Sequence, residues 1–204
     1  MQNQNLSETP NGTKLAKHRA SQALRDLALA GVMAALSMVM CRFLGFPQTG
    51  TWRIDPGFLP IVMVAFLSGP VWAGMSYGVA DLVGAAIFTG INPFITAEKI
   101  AIGVIFGIGF YRRSRLGLPR ILVTQAVAAV VCDFLAMSLI FTFCFGTPVK
   151  VALATRAVNA AVNFAMRSLL CILLDMKLFA ALRRRGGQYL SLIHISEPTR
   201  QAEI

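Results

Sequence analysis

The chain is predicted to be an all-α integral membrane protein, a six-transmembrane-helix bundle with both termini cytoplasmic. Three observations carry that prediction. Of its 204 residues 56 % are hydrophobic and only 14 % charged, with a mean hydropathy of +0.65; a soluble domain carries about a quarter charged residues. Apolar runs recur along the chain, separated by turn signals. Lysine and arginine then gather at alternate connections between those runs. This composition excludes intrinsic disorder, which needs low hydrophobicity, and argues against an ordinary soluble enzyme.

Each span is delimited by its own punctuation. Crossing the hydrocarbon takes about 20 mostly apolar residues. The first run covers about 27–44, and Pro47, Gly50, Pro56 and Gly57 break the loop after it. The second, 58–68, is the shortest and closes on Ser68-Gly69-Pro70, a tight-turn signal. The third covers 71–89 and ends before Gly90-Ile91-Asn92-Pro93. The fourth, 97–111, stops at Arg112-Arg113-Ser114-Arg115, and the fifth, 120–145, at Gly146-Thr147-Pro148. The sixth runs from 149 to 182 and meets Arg183-Arg184-Arg185, so the membrane domain is expected over 24–185. Residues 1–23 are polar and lack the apolar core of a cleavable signal peptide. They are read as a disordered cytoplasmic leader.

Charge sets the orientation, because Lys and Arg beside a span stay on the cytoplasmic side. Lys14, Lys17, Arg19 and Arg25 precede the first span; Arg112, Arg113, Arg115 and Arg120 join the fourth to the fifth; Lys177, Arg183, Arg184 and Arg185 close the sixth. The opposite connections hold only Arg53, Lys99 and Lys150. Twelve against three, alternating correctly for six spans, makes the net charge of +10 a topology signal. Nucleic acid is not needed to explain it.

The run from Leu190 to Arg200 (LSLIHISEPTR) leaves the pattern of the sixth helix and resembles the conceptual translation of a transposase-type sequencing adapter. Gln201 to Ile204 fit an index read onward in the same frame. Residues 190–204 are therefore expected to be an artefact, with the genuine chain ending at or before Tyr189. A native stop codon after Ile204, found on resequencing the locus, would contradict this. His194 then drops out and His18 sits in the leader, so no histidine-based metal or catalytic site is expected. Cys41, Cys132, Cys144 and Cys171 lack metal-binding spacing and read as small packing residues. A Cys41–Cys144 bridge is the alternative, since sequence alone cannot fix connectivity.

Ionisable groups inside spans are costly, about 2.5–3.5 kcal/mol each on insertion scales, and are functional candidates by default. Arg42 lies near the outer end of the first span, with Arg53 and Asp55 in the loop after it. Asp81 falls near the middle of the third span, Glu98 and Lys99 open the fourth, and Asp133 is near the middle of the fifth. In the sixth, Arg156, Asn159, Asn163 and Arg167 are spaced 3, 4 and 4, which puts them on one helical face. Lipid could not satisfy that stripe, so it faces the bundle interior or a wet cavity. One reading pairs these groups with Asp81 and Asp133 to lock helices together. The other makes an outward-facing pocket lined by Arg42, Arg53 and Arg156, suited to an anionic ligand that arginine forks can orient.

Phe43, Phe46, Trp52, Phe58, Phe88 and Phe94 gather on the same side. They read either as an interfacial aromatic belt or as stacking surfaces for a flat heteroaromatic ligand. Trp52 beside Arg53 in a Pro/Gly-rich loop suits a lid. The first span carries small residues at Ala30/Ala34 and Gly31/Ala35, spacing that lets another helix approach closely. Gly103-x-x-x-Gly107 in the fourth reads as internal packing. There is no GxxxxGK[ST], HExxH or GxSxG, and no cofactor or enzymatic activity is expected.

The stretches Ala35–Leu44 (ALSMVMCRFL), Trp52–Ile61 (WRIDPGFLPI), Gly69–Gly74 (GPVWAG) and Ala80–Ala85 (ADLVGA) resemble the substrate-binding S components of energy-coupling-factor (ECF) vitamin transporters. The pattern is most similar to the folate-specific S component, with Gly146-Thr147-Pro148 and Thr155-Arg156 matching its later GTP and TR. The likeness covers about 27–175. It departs at Asp55-Pro56, where the family reads Gly-Phe after Arg-Ile, and in a shorter loop around Gly90–Phe94. The resemblance implies a bacterial multi-pass cell-membrane protein that captures folate from outside. It further implies a membrane coupling protein (T component) and two ATPases as partners, with the S component toppling in the membrane to deliver its ligand. In this reading Arg42, Trp52, Arg53, Phe58, Asp81, Phe94, Lys99, Arg156 and Asn159 surround the ligand, and Ala30, Gly31, Ala34 and Ala35 dock the coupling protein. An S component for another small vitamin or precursor, pantothenate or a queuosine precursor, is the alternative. A non-transport membrane scaffold would share the helices but not need the arginine stripe.

Overall fold

The computed structural model describes residues 10–45, 55–88, 90–111 and 117–176. Among them every element is helical and none is a strand. The helices are α1 (Pro10–Phe43), α2 (Phe58–Leu67), α3 (Pro70–Phe88), α4 (Pro93–Phe110), α5 (Leu118–Ala128), α6 (Met137–Phe145) and α7 (Val149–Leu174). A π-helical stretch, Ala129–Ala136, joins α5 to α6 without a break in direction, since the residues at both junctions keep right-handed helical angles.

Five segments are long and apolar enough to cross a membrane: Ala20–Phe43, Pro70–Phe88, Pro93–Phe110, Leu118–Phe145 and Val149–Leu174. At ten residues, α2 is about 15 Å long at 1.5 Å per residue, half the hydrocarbon thickness. The six-span expectation therefore meets five full-length spans and one short apolar helix among the described residues.

Local chemistry explains where helices start and stop. α1 reaches back to Pro10, into the stretch expected as a disordered leader, and so begins well before the expected 27. Proline suits a first helical position, and the Lys, Leu, Ala, Gln and Arg that follow are good helix formers that extend a helix already nucleated in the bilayer. α4 starts at Pro93, four residues earlier than expected. Asn92 caps it, its side-chain oxygen accepting the Phe94 N–H at 3.1 Å, with Pro93 at the first position. α6 ends at Gly146, whose φ of +65° is the left-handed conformation glycine adopts cheaply at a helix end. Gly69, at φ +97°, makes the same allowance in the tight turn between α2 and α3.

Burial is arranged for lipid. Phe143, Phe43, Ile108 and Val32 are exposed, whereas Glu98, Arg156, Asn163 and Arg167 are buried. That is the pattern of a chain whose outer solvent is hydrocarbon. An apolar core of Phe58, Ile61, Ile102, Phe106 and Phe110 lies between α2 and α4, with Phe58 meeting Phe106 edge-on at 6.3 Å.

α3 and α4 lie against each other along a glycine seam. A Cβ on Gly103 would sit 2.6 Å from the Ala73 carbonyl oxygen, one on Gly74 would sit 2.8 Å from Val104 Cγ2, and one on Gly107 would overlap Pro70. Small residues here let the backbones approach to contact distance. All four cysteines are unbridged.

Candidate functional site

A narrow cleft lies between α1, α3, α4 and the segment leading into α2. α1 contributes Ser37, Met38, Cys41 and Arg42 to its lining; Asp55 comes from the approach to α2, Tyr77, Ala80 and Asp81 from α3, and Lys99 from α4. Two cations thus face two carboxylates around one opening. The sequence-derived candidates Arg42, Asp81 and Lys99 come together here.

The cleft is held by a chain of hydrogen bonds across four elements. Ser37 Oγ donates to the Gly57 carbonyl at 2.6 Å, and the Gly57 N–H donates to Asp55 Oδ1 at 2.9 Å. Tyr77 Oη donates to Asp55 Oδ2 at 3.5 Å, and Lys99 Nζ stands 5.4 Å from the centre of the Tyr77 ring. On the other side Thr96 Oγ1 donates to Asp81 Oδ2 at 2.9 Å. Gly84 leaves room for Arg42, since a Cβ there would come within 3.1 Å of its Nε, and the guanidinium lies 5.4 Å from the Phe88 ring. Gly57 is similarly confined, 2.7 Å from a Ser37 oxygen to any Cβ. Asp55, the acid that departs from the family pattern, therefore ties the chain entering α2 to α3.

Other candidates stand elsewhere. Trp52 and Arg53 lie outside the described residues, as do Phe46, the basic C-terminal run and residues 190–204. Phe58 is fully buried in the apolar core and does not line the cleft; Phe94 is 60 % exposed. Arg156 is buried on α7 with its guanidinium 3.7 Å from the centre of the Phe141 ring. Asn159 Oδ1 accepts from Asn163 Nδ2 at 2.9 Å. The α7 stripe does face inward, and Arg167 pairs with Asp133 through bonds of 2.6 and 3.2 Å. Asp81 takes Thr96 as its partner rather than a residue of that stripe. On α1, Ala30 and Ala34 are buried against the bundle, while Gly31 and Ala35 are exposed and nothing lies within 4 Å of a Cβ built on Gly31.

Ser37, Tyr77 and Thr96 give no sequence signal, because hydroxyl residues are ordinary in membrane helices and only their partners mark them out. Glu98 is different: its charge in an apolar run was visible, but nothing in the sequence distinguished it from Lys99 beside it. Among the described residues no cluster of His, Cys, Asp and Glu could hold a metal ion.

Residues 25–174 match the family described as "ECF transporter, substrate-specific component". The chain belongs to this family. Its members are transporter subunits that bind substrate, and a multi-pass location in the bacterial cell membrane follows from that membership and the apolar helices. The S component is 30 % identical over 139 residues to the Folate transporter FolT of Clostridium novyi (strain NT), an alignment covering 67 % of this chain and 80 % of that protein. It is 25 % identical over 143 residues to the Folate transporter FolT of Streptococcus mutans serotype c (strain ATCC 700610 / UA159), covering 66 % and 73 %. The crystal structure of FolT bound with folic acid shares its fold, with a TM-score of 0.68 at 24 % identity over 74 % of this chain and 93 % of that one.

Proposed function

We propose that this S component captures folate or a folate derivative from outside the cell and delivers it across the membrane. The carrying observation is the 30 % identity to a folate transporter along 80 % of that protein's length. The chemistry of the interior agrees with it. Folate presents a flat pteridine and the carboxylates of glutamate, and the cleft sets Arg42 and Lys99 beside hydrogen-bonding groups. In this reading Arg156 and Asn159 of α7 add further ligand contacts, with Trp52, Arg53 and Phe94, whereas Phe58 backs the site from the apolar core rather than touching the ligand. Arginine takes a carboxylate with two parallel bonds and so orients as well as attracts it.

In this reading α2 and the chain leading into it complete a sixth crossing, which returns both termini to the cytoplasmic side in accord with the lysine and arginine bias. The membrane domain spans 24–185, and residues 190–204 take no part. Transport is energised by a membrane coupling protein and two ATPases. Gly31 and Ala35, the exposed half of the small-residue set on α1, meet the coupling protein, and Ala30 and Ala34 join them when the bundle moves.

Competition separates the specificities. Membranes holding the full chain are expected to retain radiolabelled folic acid, displaced by unlabelled folic acid and not by pantothenate or a queuosine precursor. Displacement by either of the latter in folate's place moves the assignment to that ligand.

A further inference from the structure

The bundle interior contains a carboxylate that, an ion pair with its chain neighbour aside, accepts no hydrogen bond among the described residues. Glu98, on α4, is 4 % exposed, and neither Oε1 nor Oε2 takes a hydrogen bond among the described residues. Its ionic neighbour is the adjacent Lys99, whose Nζ lies 3.5 Å from Oε2. The other interior acids are provided for: Asp133 engages Arg167 with both oxygens, and Asp81 takes the Thr96 hydroxyl. An ionised carboxylate offers about four acceptor sites, and leaving them empty away from water is costly. Such an orphan in a folded protein calls for a missing partner.

The surroundings narrow what that partner is. α4 packs against α6 and the π-helical stretch, and α6 packs against α7. Further buried polar atoms on α6 and α7 lack hydrogen-bond partners among the described residues, among them Arg156 Nε, Arg167 Nε and Ser168 Oγ on α7 and Ser138 Oγ on α6. A ligand reaching Glu98 would find two free acceptor oxygens there, with unfilled donors carried by α6 and α7. Two carboxylate oxygens match two parallel N–H donors held in one plane. The glutamate end of folate offers further carboxylates and would be repelled. A 2-amino-4-oxopyrimidine ring offers the required pair, its exocyclic amine beside the ring N3–H.

We propose that Glu98 is the specificity-determining residue of this S component and reads the 2-amino-4-oxopyrimidine edge of the ligand. The assignment deepens the folate reading and rests on it for the choice of pterin. The same edge occurs in 7-deazaguanine bases such as queuosine precursors and is missing from pantothenate, so the two readings can fail separately.

The test is a binding cycle by calorimetry on the full chain in detergent, with folic acid and its 2-deamino-2-methyl analogue, on wild type and Glu98→Gln. Wild type is expected to prefer folic acid by about 30-fold or more, the scale of a charge-assisted hydrogen bond lost from a buried site. Glu98→Gln keeps the shape of the side chain and is expected to bind both ligands within about threefold of each other. A glutamine variant that keeps the wild-type preference overturns the proposal. So does equal binding of the two ligands by wild type, a result that needs no variant and no assumption about its folding. Wild type that ignores folic acid overturns the folate reading; the cycle is then run with queuine and its 2-deamino analogue, and failure to bind queuine, or to prefer it, overturns the Glu98 assignment too.

Discussion

Arg167 on α7 and Asp133 on the π-helical stretch meet through two parallel hydrogen bonds, 2.6 and 3.2 Å long, with Arg167 only 2 % exposed. The guanidinium also lies 5.9 Å from the centre of the Phe58 ring, so one side chain links α7, the π stretch and α2. π-helical turns are rare and widen the helix locally. Here the widened stretch brings the aspartate to the arginine from the middle of a segment that spans Leu118–Phe145.

Breaking this pair leaves an uncompensated charge inside the bundle. Asp133→Ala and Arg167→Ala are each expected to destabilise the protein by about 3–5 kcal/mol, and replacing both residues by leucine and methionine to cost much less than the sum. Thermal unfolding in detergent, run as a double-mutant cycle, measures the coupling. Additive losses would mean the pair contributes nothing as a pair.

The seam between α3 and α4 has no room to spare. Gly107→Leu is expected to destabilise by at least about 1–3 kcal/mol, because the side chain must displace Pro70. Gly31→Leu, where nothing lies within 4 Å, is expected to leave the melting temperature of the isolated S component within about 2 °C. In the folate-importer reading that same change abolishes co-purification with the coupling protein, which separates internal packing from docking.

Much of this was legible in the amino-acid order for a physical reason: lipid imposes strong, simple rules. A helix must satisfy its own backbone in hydrocarbon, so apolar runs between Pro/Gly breaks become helices, and charges inside those runs must turn inward. That logic turns the α7 stripe inward, but the pocket it suggests, Arg42 with Arg53 and Arg156, is not the grouping of Arg42, Asp81 and Lys99 found around the cleft. It does not choose partners. The spacing of Arg167 says nothing of Asp133 34 residues earlier, and Thr96, uncharged, takes Asp81. Nor does composition reveal that Asn92 starts α4 four residues early or that α1 extends to Pro10, because caps and helix propagation act through local hydrogen bonds rather than hydropathy.

Ser37 fastens the chain entering α2 to α1. Ser37→Ala leaves the Gly57 carbonyl without its 2.6 Å bond and is expected to cost about 1 kcal/mol of stability. In the folate reading it also quickens ligand release, since Trp52 and Arg53, expected at the ligand, immediately precede Asp55 in the sequence. Stopped-flow Trp fluorescence checks the second effect, and an unchanged off-rate would separate the Ser37–Gly57 bond from ligand release.

Arg42→Ala is expected to weaken folic acid binding by about 1.5–3 kcal/mol, or roughly ten- to a hundredfold, with Arg42→Lys restoring only part of it because a lysine cannot fork a carboxylate. Equilibrium dialysis with labelled ligand checks this. Full rescue by lysine would reduce the role of Arg42 to charge alone.

The central claim is that this S component binds folate, and calorimetry of folic acid against the purified, monodisperse chain tests it most directly. One-to-one binding with a dissociation constant of about 1 μM or tighter is the predicted result. A well-folded sample that gives no heat and no Trp fluorescence change at about 100 μM folic acid, a hundredfold above that limit, would contradict it.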